Sequence, residues 1–152
     1  MFKHIAHHLL LWLERQDVRY YRSKMHLGKN VKIKEGLRVK RPANITIGDN
    51  VTIGCDSILH AQAPITIGDL TLIAPCVKIL TANHDMNARS LLTAPVTIGR
   101  NCWIGTGVTI VPGVTIGDDI TIAAGSVVTK DLESGMIYGG VPAKLLKPRP
   151  QK

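Results

Sequence analysis

Five polar side chains, Thr81, Asn83, His84, Asp85 and Asn87, fall within seven residues of one another. Of these, His84 is the one that can move a proton near neutral pH, since an unperturbed imidazole titrates at about 6.5. A histidine beside a carboxylate and two carboxamides has the composition of a general base with orienting partners, and equally that of a solvated surface loop. Other clusters offer less. His4 and His8 share a helix face, with His7 beside them, but a zinc site needs three or four protein ligands, so no metal site is expected. Cys55, Cys76 and Cys102 are odd in number and lack metal spacing. They read as reduced, partly buried thiols of a cytoplasmic protein.

What must position these groups is a ladder. Ile98, Ile104, Ile110, Ile116, Ile122 and Val128 place an aliphatic residue at every sixth position. A helix repeats every 3.6 residues and a strand every two, so neither alone accounts for it. A period of six rich in Val, Ile and Thr is the signature of a parallel β-helix, with one side chain per hexad pointing into a narrow interior. The ladder continues backwards as Ile67, Ile73, Ile79, then Ile47, Ile53, Leu59, then Leu27, Ile33, Val39. Three hexads make one triangular coil, so about five coils are expected. The phase slips by two between Val39 and Ile47 and again between Leu59 and Ile67. Between Ile79 and Ile98 the step is nineteen, so thirteen extra residues leave the ladder. The cluster around His84 sits in that protruding loop, 80–95, where an otherwise economical chain spends length.

The remaining segments frame the ladder. Residues 1–26 are expected to hold a basic helix, with Phe2, Ile5, Leu9, Trp12 and Leu13 on one face. Three roles are open to it: capping the terminal coil, packing between subunits, or lying on a membrane surface. Residues 27–130 form the β-helix domain, and 131–152, rich in Gly and Pro, an extended tail on the last coil. The net charge of +8 is carried by residues 1–41, with eleven Lys or Arg against three acids; the rest has eight of each sign. No nucleic-acid-binding motif accompanies this patch, so an anionic surface or substrate is favoured over nucleic acid, beside the plainer reading of a basic leader that serves solubility and packing. The run 9–13 is too short to span a bilayer and lacks a cleavage site. A cytoplasmic location is expected, with the basic leader able to meet the inner face of the membrane.

With 81–86 reading Thr-Ala-Asn-His-Asp-Met, 94–99 reading Ala-Pro-Val-Thr-Ile-Gly and 101–105 reading Asn-Cys-Trp-Ile-Gly, the chain resembles the hexapeptide-repeat acyltransferases. The stretches 123–131 and 139–144 strengthen the likeness. It looks closest to the galactoside, maltose, nodulation-factor and xenobiotic acetyltransferases, and among them to the capsule and exopolysaccharide O-acetyltransferases. The resemblance covers 27 to about 148. It implies an all-β, left-handed parallel β-helix, a homotrimer with active sites between subunits, and acetyl-CoA as donor. The hand comes from the resemblance alone.

By the same correspondence His84 is the catalytic base; of its neighbours in sequence, Asp85 is expected to orient the ring or touch the acceptor, and Asn83 to touch the acceptor. Pantetheine would lie along Trp103, Gly105 and Thr106 and along Ala123 and Ala124. Thr129 and Lys130 match positions near the adenine and phosphates, and Lys144 and Lys147 match residues approaching the 3′-phosphate. The plainer readings are turn residues and solvated lysines, and Trp103 walls the acceptor site or packs the loop. Sugar acetyltransferases of this family have a longer N-terminal region and an acceptor-binding asparagine whose place falls near Gly54. Asp56 is the nearest polar substitute. No G-x-S-x-G elbow and no paired cysteine and histidine are present, so direct transfer is expected over an acyl-enzyme.

The implied activity is O-acetylation of a saccharide in cell-surface polysaccharide synthesis. N-acetylation of an amino sugar or antibiotic needs the same base, and a non-catalytic trimeric scaffold is the alternative outside catalysis. A γ-class carbonic anhydrase would need three histidines, and only His60 and His84 follow Leu59.

Overall fold

In an extended segment side chains alternate, so a residue and its neighbour two back face the same way. The computed structural model describes residues 18–150. There, three short strands and three corners make each coil. The first face stacks β1 (His26–Leu27), β4 (Ile45–Ile47), β7 (Ile65–Ile67), β12 (Val96–Ile98) and β15 (Thr115–Ile116), all parallel. The second stacks β2 (Lys32–Ile33), β5 (Thr52–Ile53), β8 (Leu72–Ile73), β13 (Trp103–Ile104) and β16 (Thr121–Ile122). The third stacks β3 (Arg38–Lys40), β6 (Ile58–His60), β9 (Lys78–Leu80), β14 (Thr109–Ile110) and β17 (Val127–Val128).

Register turns the six-residue period into columns. Ile53, Ile73, Ile104 and Ile122 are successive partners down the second face, and Leu59, Ile79, Ile110 and Val128 down the third. All eight are buried, each worth about 1.5–3 kcal/mol in removal from water. Two side chains per hexad, not one, face inward: Val96, Cys102, Val108, Val114, Ile120 and Ser126 are buried as well. Strand alternation requires it, since each lies two residues before a ladder aliphatic. The first triplet is an exception of position. Leu27, Ile33 and Val39 are only partly buried, because a terminal coil has a neighbour on one side, while Met25, Val31 and Leu37 are the buried ones there.

The departures from six all fall on the corner between the third face and the next first face. The two slips are the turn holding the 3-10 helix Pro42–Asn44 and the turn 61–64, joined by Asn44 Nδ2 donating to the Ala61 carbonyl at 2.9 Å. The thirteen-residue excursion is an antiparallel hairpin, β10 (Ala82–His84) against β11 (Leu91–Thr93).

Both ends are covered. Residues 18–24 are helical; Tyr21 packs on the core, and Arg22 Nη1 donates to the Val31 carbonyl at 3.0 Å, satisfying an acceptor on the open edge of the first coil. The rest of the expected helix, with His4, His7, His8 and Trp12, lies outside the described residues. At the other end the tail does more than extend. Leu132 bridges in parallel to Ile116, and β18 (Met136–Gly139) pairs in parallel with β16, adding a partial sixth coil to the five. The strand β19 (Lys144–Pro148) folds back antiparallel on β18 and closes that edge.

Candidate active site

The hairpin that carries His84 is fixed at its base and tied at its tip. At the base, the Thr81 hydroxyl donates to the His60 carbonyl at 2.9 Å and accepts from the Ala63 amide at 2.9 Å, and Thr81 is fully buried. The Ala94 amide donates to the Thr81 carbonyl at 3.0 Å, closing the neck. His84 pairs with Leu91 at the last ladder position, and its ring is exposed. Beyond it the Asp85 amide donates to the Ser90 carbonyl at 2.9 Å.

Asn83 and Asp85 are engaged with backbone. Asn83 Oδ1 accepts from the His84 amide at 2.9 Å. Asp85 Oδ1 accepts from Asn87 and Ala88 at 2.8 and 3.0 Å, a turn of the kind aspartate favours. Those amides, Ala88 first and Asn87 second, hold the Asp85 carboxyl below its ordinary range. Asp85 thus shapes the loop that presents His84, and no hydrogen bond from it to the ring is present.

The other residues singled out by sequence divide between two corners. Thr129 and Lys130 lie on the hairpin's corner, at the level of the fifth coil, and both are exposed. Asp56, Gly105, Thr106, Ala123 and Ala124 lie on the corner between the second and third faces. That corner is tied level to level: Asp56 to Glu35, Gly107 to Pro75 at 3.0 Å and Gly125 to Thr106 at 2.8 Å. Lys144 continues the line below Ala123, opposite Gly139 on the closing strand, whereas Lys147 lies farther along that strand opposite Ile137. Trp103 stands on the outer side of the second face between Leu72 and Thr121, 55% exposed. One chain therefore holds the expected site in two halves separated by the third face.

Sequence reasoning named no donor for a developing oxyanion. Among the described residues the Thr106 and Ala124 amides donate to nothing, while Gly105, Gly107, Ala123 and Gly125 around them all do. Small residues keep this corner thin: a Cβ on Gly105 would stand 2.6 Å from the Ala124 nitrogen and the Ile122 oxygen. A cleft lined by Asn30, Val31, Lys32, Asn50 and Thr52 lies on the first two coils, away from His84. Among the described residues no cluster of His, Cys, Asp or Glu is placed to hold a metal.

The family model described as the hexapeptide repeat of succinyl-transferase matches residues 44–74 and 95–130, leaving out the hairpin between them. Among solved structures, a maltose O-acetyltransferase from Clostridium difficile 630 superposes with a TM-score of 0.81 at 36% identity, covering 90% of this chain and 75% of that one. This chain belongs to the hexapeptide-repeat acetyltransferase family. A second member, the acetyltransferase VCA0836 of Vibrio cholerae in complex with acetyl coenzyme A, has a TM-score of 0.84 at 33% identity over 91% of this chain and 79% of that one. The galactoside O-acetyltransferase of Escherichia coli K12 is 36% identical over 126 residues, 80% of this chain and 62% of that protein. The chain spans 56–69% of the length of the first five curated family members it matches.

Proposed function

We propose that the protein transfers an acetyl group from acetyl-CoA to a hydroxyl of a saccharide in the cytoplasm, as a step in cell-surface polysaccharide synthesis. The observation that carries the reading is the division of the site: a hairpin presenting an exposed imidazole on one corner, and a thin, glycine- and alanine-lined corner with free amides elsewhere on the prism. Neighbouring chains in a homotrimer would bring the two together, with three sites per assembly. The complex of VCA0836 with acetyl coenzyme A supports the donor, and the galactoside and maltose relatives support a sugar acceptor.

In this site His84 takes the proton of the acceptor hydroxyl as that oxygen attacks the thioester carbonyl. The oxyanion that forms is held by the Thr106 amide, whose preorganised N–H has no other partner to give up. Collapse expels the coenzyme A thiolate, and the imidazolium returns its proton to that sulfur. The Ala124 amide is free to meet a carbonyl of the pantetheine arm. Lys144 at the end of the same corner supplies a point charge for phosphate.

The test is release of free coenzyme A from acetyl-CoA by wild type and His84→Ala against hydroxyl sugars, amino sugars, sugar nucleotides and oligosaccharides. Acceptor-dependent turnover that drops about 10²-fold or more in the variant is expected. A response to amino sugars alone would move the acceptor from oxygen to nitrogen. Absence of both turnover and acetyl-CoA binding would leave a β-helix scaffold.

A further inference from the structure

The excess of basic charge lies at one end of the prism. Lys29, Lys32, Lys34, Arg38, Lys40 and Arg41 lie on the first coil, and all are exposed. They occupy all three corners and two of the three faces, so they ring the coil instead of lining one side. Arg19, Arg22 and Lys24, also exposed, project from the helical segment covering that end. Over 18–41 nine cations stand against the single acid Glu35, a balance of +8. The next coil, 45–60, has Asp49 and Asp56 and no cation, and the far end, 115–150, has Lys130, Lys144, Lys147 and Arg149 against Asp118, Asp119, Asp131 and Glu133, a balance of zero. The prism is therefore electrically polar along its own axis, positive at the first coil.

Shape decides which polyanion this fits. A rod such as nucleic acid, laid against a prism, meets the cations of one face, whereas a plane normal to the axis meets the whole ring at once. The Tyr20 ring, 58% exposed on the same end, has the amphipathic character that settles at a bilayer's headgroup level. Among the described residues no helix is long and apolar enough to cross a membrane. We propose that the first coil and the helical segment above it form a docking face for anionic lipid headgroups, which holds the prism end-on against a bilayer. This face is independent of acetyl transfer, since none of its residues belongs to the candidate active site.

A lysine or arginine near an anionic surface contributes about 1 kcal/mol, roughly 5-fold in partitioning. Full-length protein is therefore sedimented with phosphatidylcholine vesicles with and without phosphatidylglycerol, alongside a Lys29→Gln, Lys32→Gln, Lys34→Gln, Lys40→Gln variant and its Lys→Arg counterpart. Wild type and the arginine variant are expected to bind the phosphatidylglycerol vesicles and not the neutral ones, with binding lost as salt shortens the Debye length. The glutamine variant should bind about 10²-fold or more weaker while circular dichroism and melting match wild type. Equal binding by the glutamine variant, binding to neutral vesicles, or binding to duplex DNA at concentrations where the vesicles are ignored would each overturn the proposal.

Discussion

His84 and Asp85 are adjacent in sequence and do different work. The imidazole is exposed at the end of a paired strand, and the neighbouring carboxylate spends its lone pairs on the turn amides. Asp85→Ala should loosen the 85–90 turn and lower turnover less than His84→Ala does, whereas Asp85→Asn, which keeps an acceptor oxygen, should preserve the turn. The carboxyl's depressed pKa sets the direction with pH. Its contribution to the turn is fully present above the unfolded aspartate value of about 3.9 and is lost as pH falls through the lower folded value. The protection of the Asn87 and Ala88 amides, measured against the intrinsic exchange rate at each pH, is thus expected to be high at neutral pH and to fall in acid, with no such step in Asp85→Asn. Among the thiols, burial pushes Cys102 up, while Cys76 is exposed. Iodoacetamide at neutral pH should label Cys76 first and reach Cys102 only on unfolding, as read by peptide mass.

At the scale of the coil, stability resides in the columns and in the corners that let them stack. Ile104→Ala empties a fully buried position between Ile73 and Ile122 and should cost about 2–5 kcal/mol, measured from the denaturant midpoint. The two glycines after it fail for different reasons. Gly105→Ala drives a methyl into backbone 2.6 Å away. Gly107 has open space but φ +70°, a conformation that Asn30, Asn50 and Asn101 adopt at the corner between the first and second faces. Gly107→Asn should then be tolerated to within about 1 kcal/mol, and Gly107→Val, β-branched at positive φ, should not.

At the scale of the molecule the prediction is one of complementation. His84→Ala removes the proposed base from one corner, and Ala124→Tyr fills the other with a ring. Each variant alone should be inactive. Mixed trimers, prepared by co-expression with two tags, contain junctions with both corners intact and should recover activity above either parent. A site built within one chain would give none. Light scattering at three times the chain mass is the accompanying expectation.

The architecture is legible in the sequence because a solenoid writes its period into the chain. A residue that must be aliphatic at every sixth position leaves a record that local packing cannot disguise, and the protruding segment announces itself as the place where that record stops. His84 stands out the same way, as the one histidine inside the interruption. Tertiary structure decided the rest. Which corner a turn occupies depends on the cumulative phase, so only the stacked coils show that both slips and the hairpin share one corner, while Gly105 and Ala124 lie on another. The two inward positions per hexad follow from strand alternation, but the partial burial of Leu27, Ile33 and Val39 depends on having no coil above them. Asp85 reads as a partner of histidine by composition and becomes a turn-former only once the amides of Asn87 and Ala88 are folded over it. The sixth strand of the second face escaped the period because Met136–Gly139 reaches its register through parallel pairing with Thr121–Ile122, a long-range contact that no spacing in the tail records.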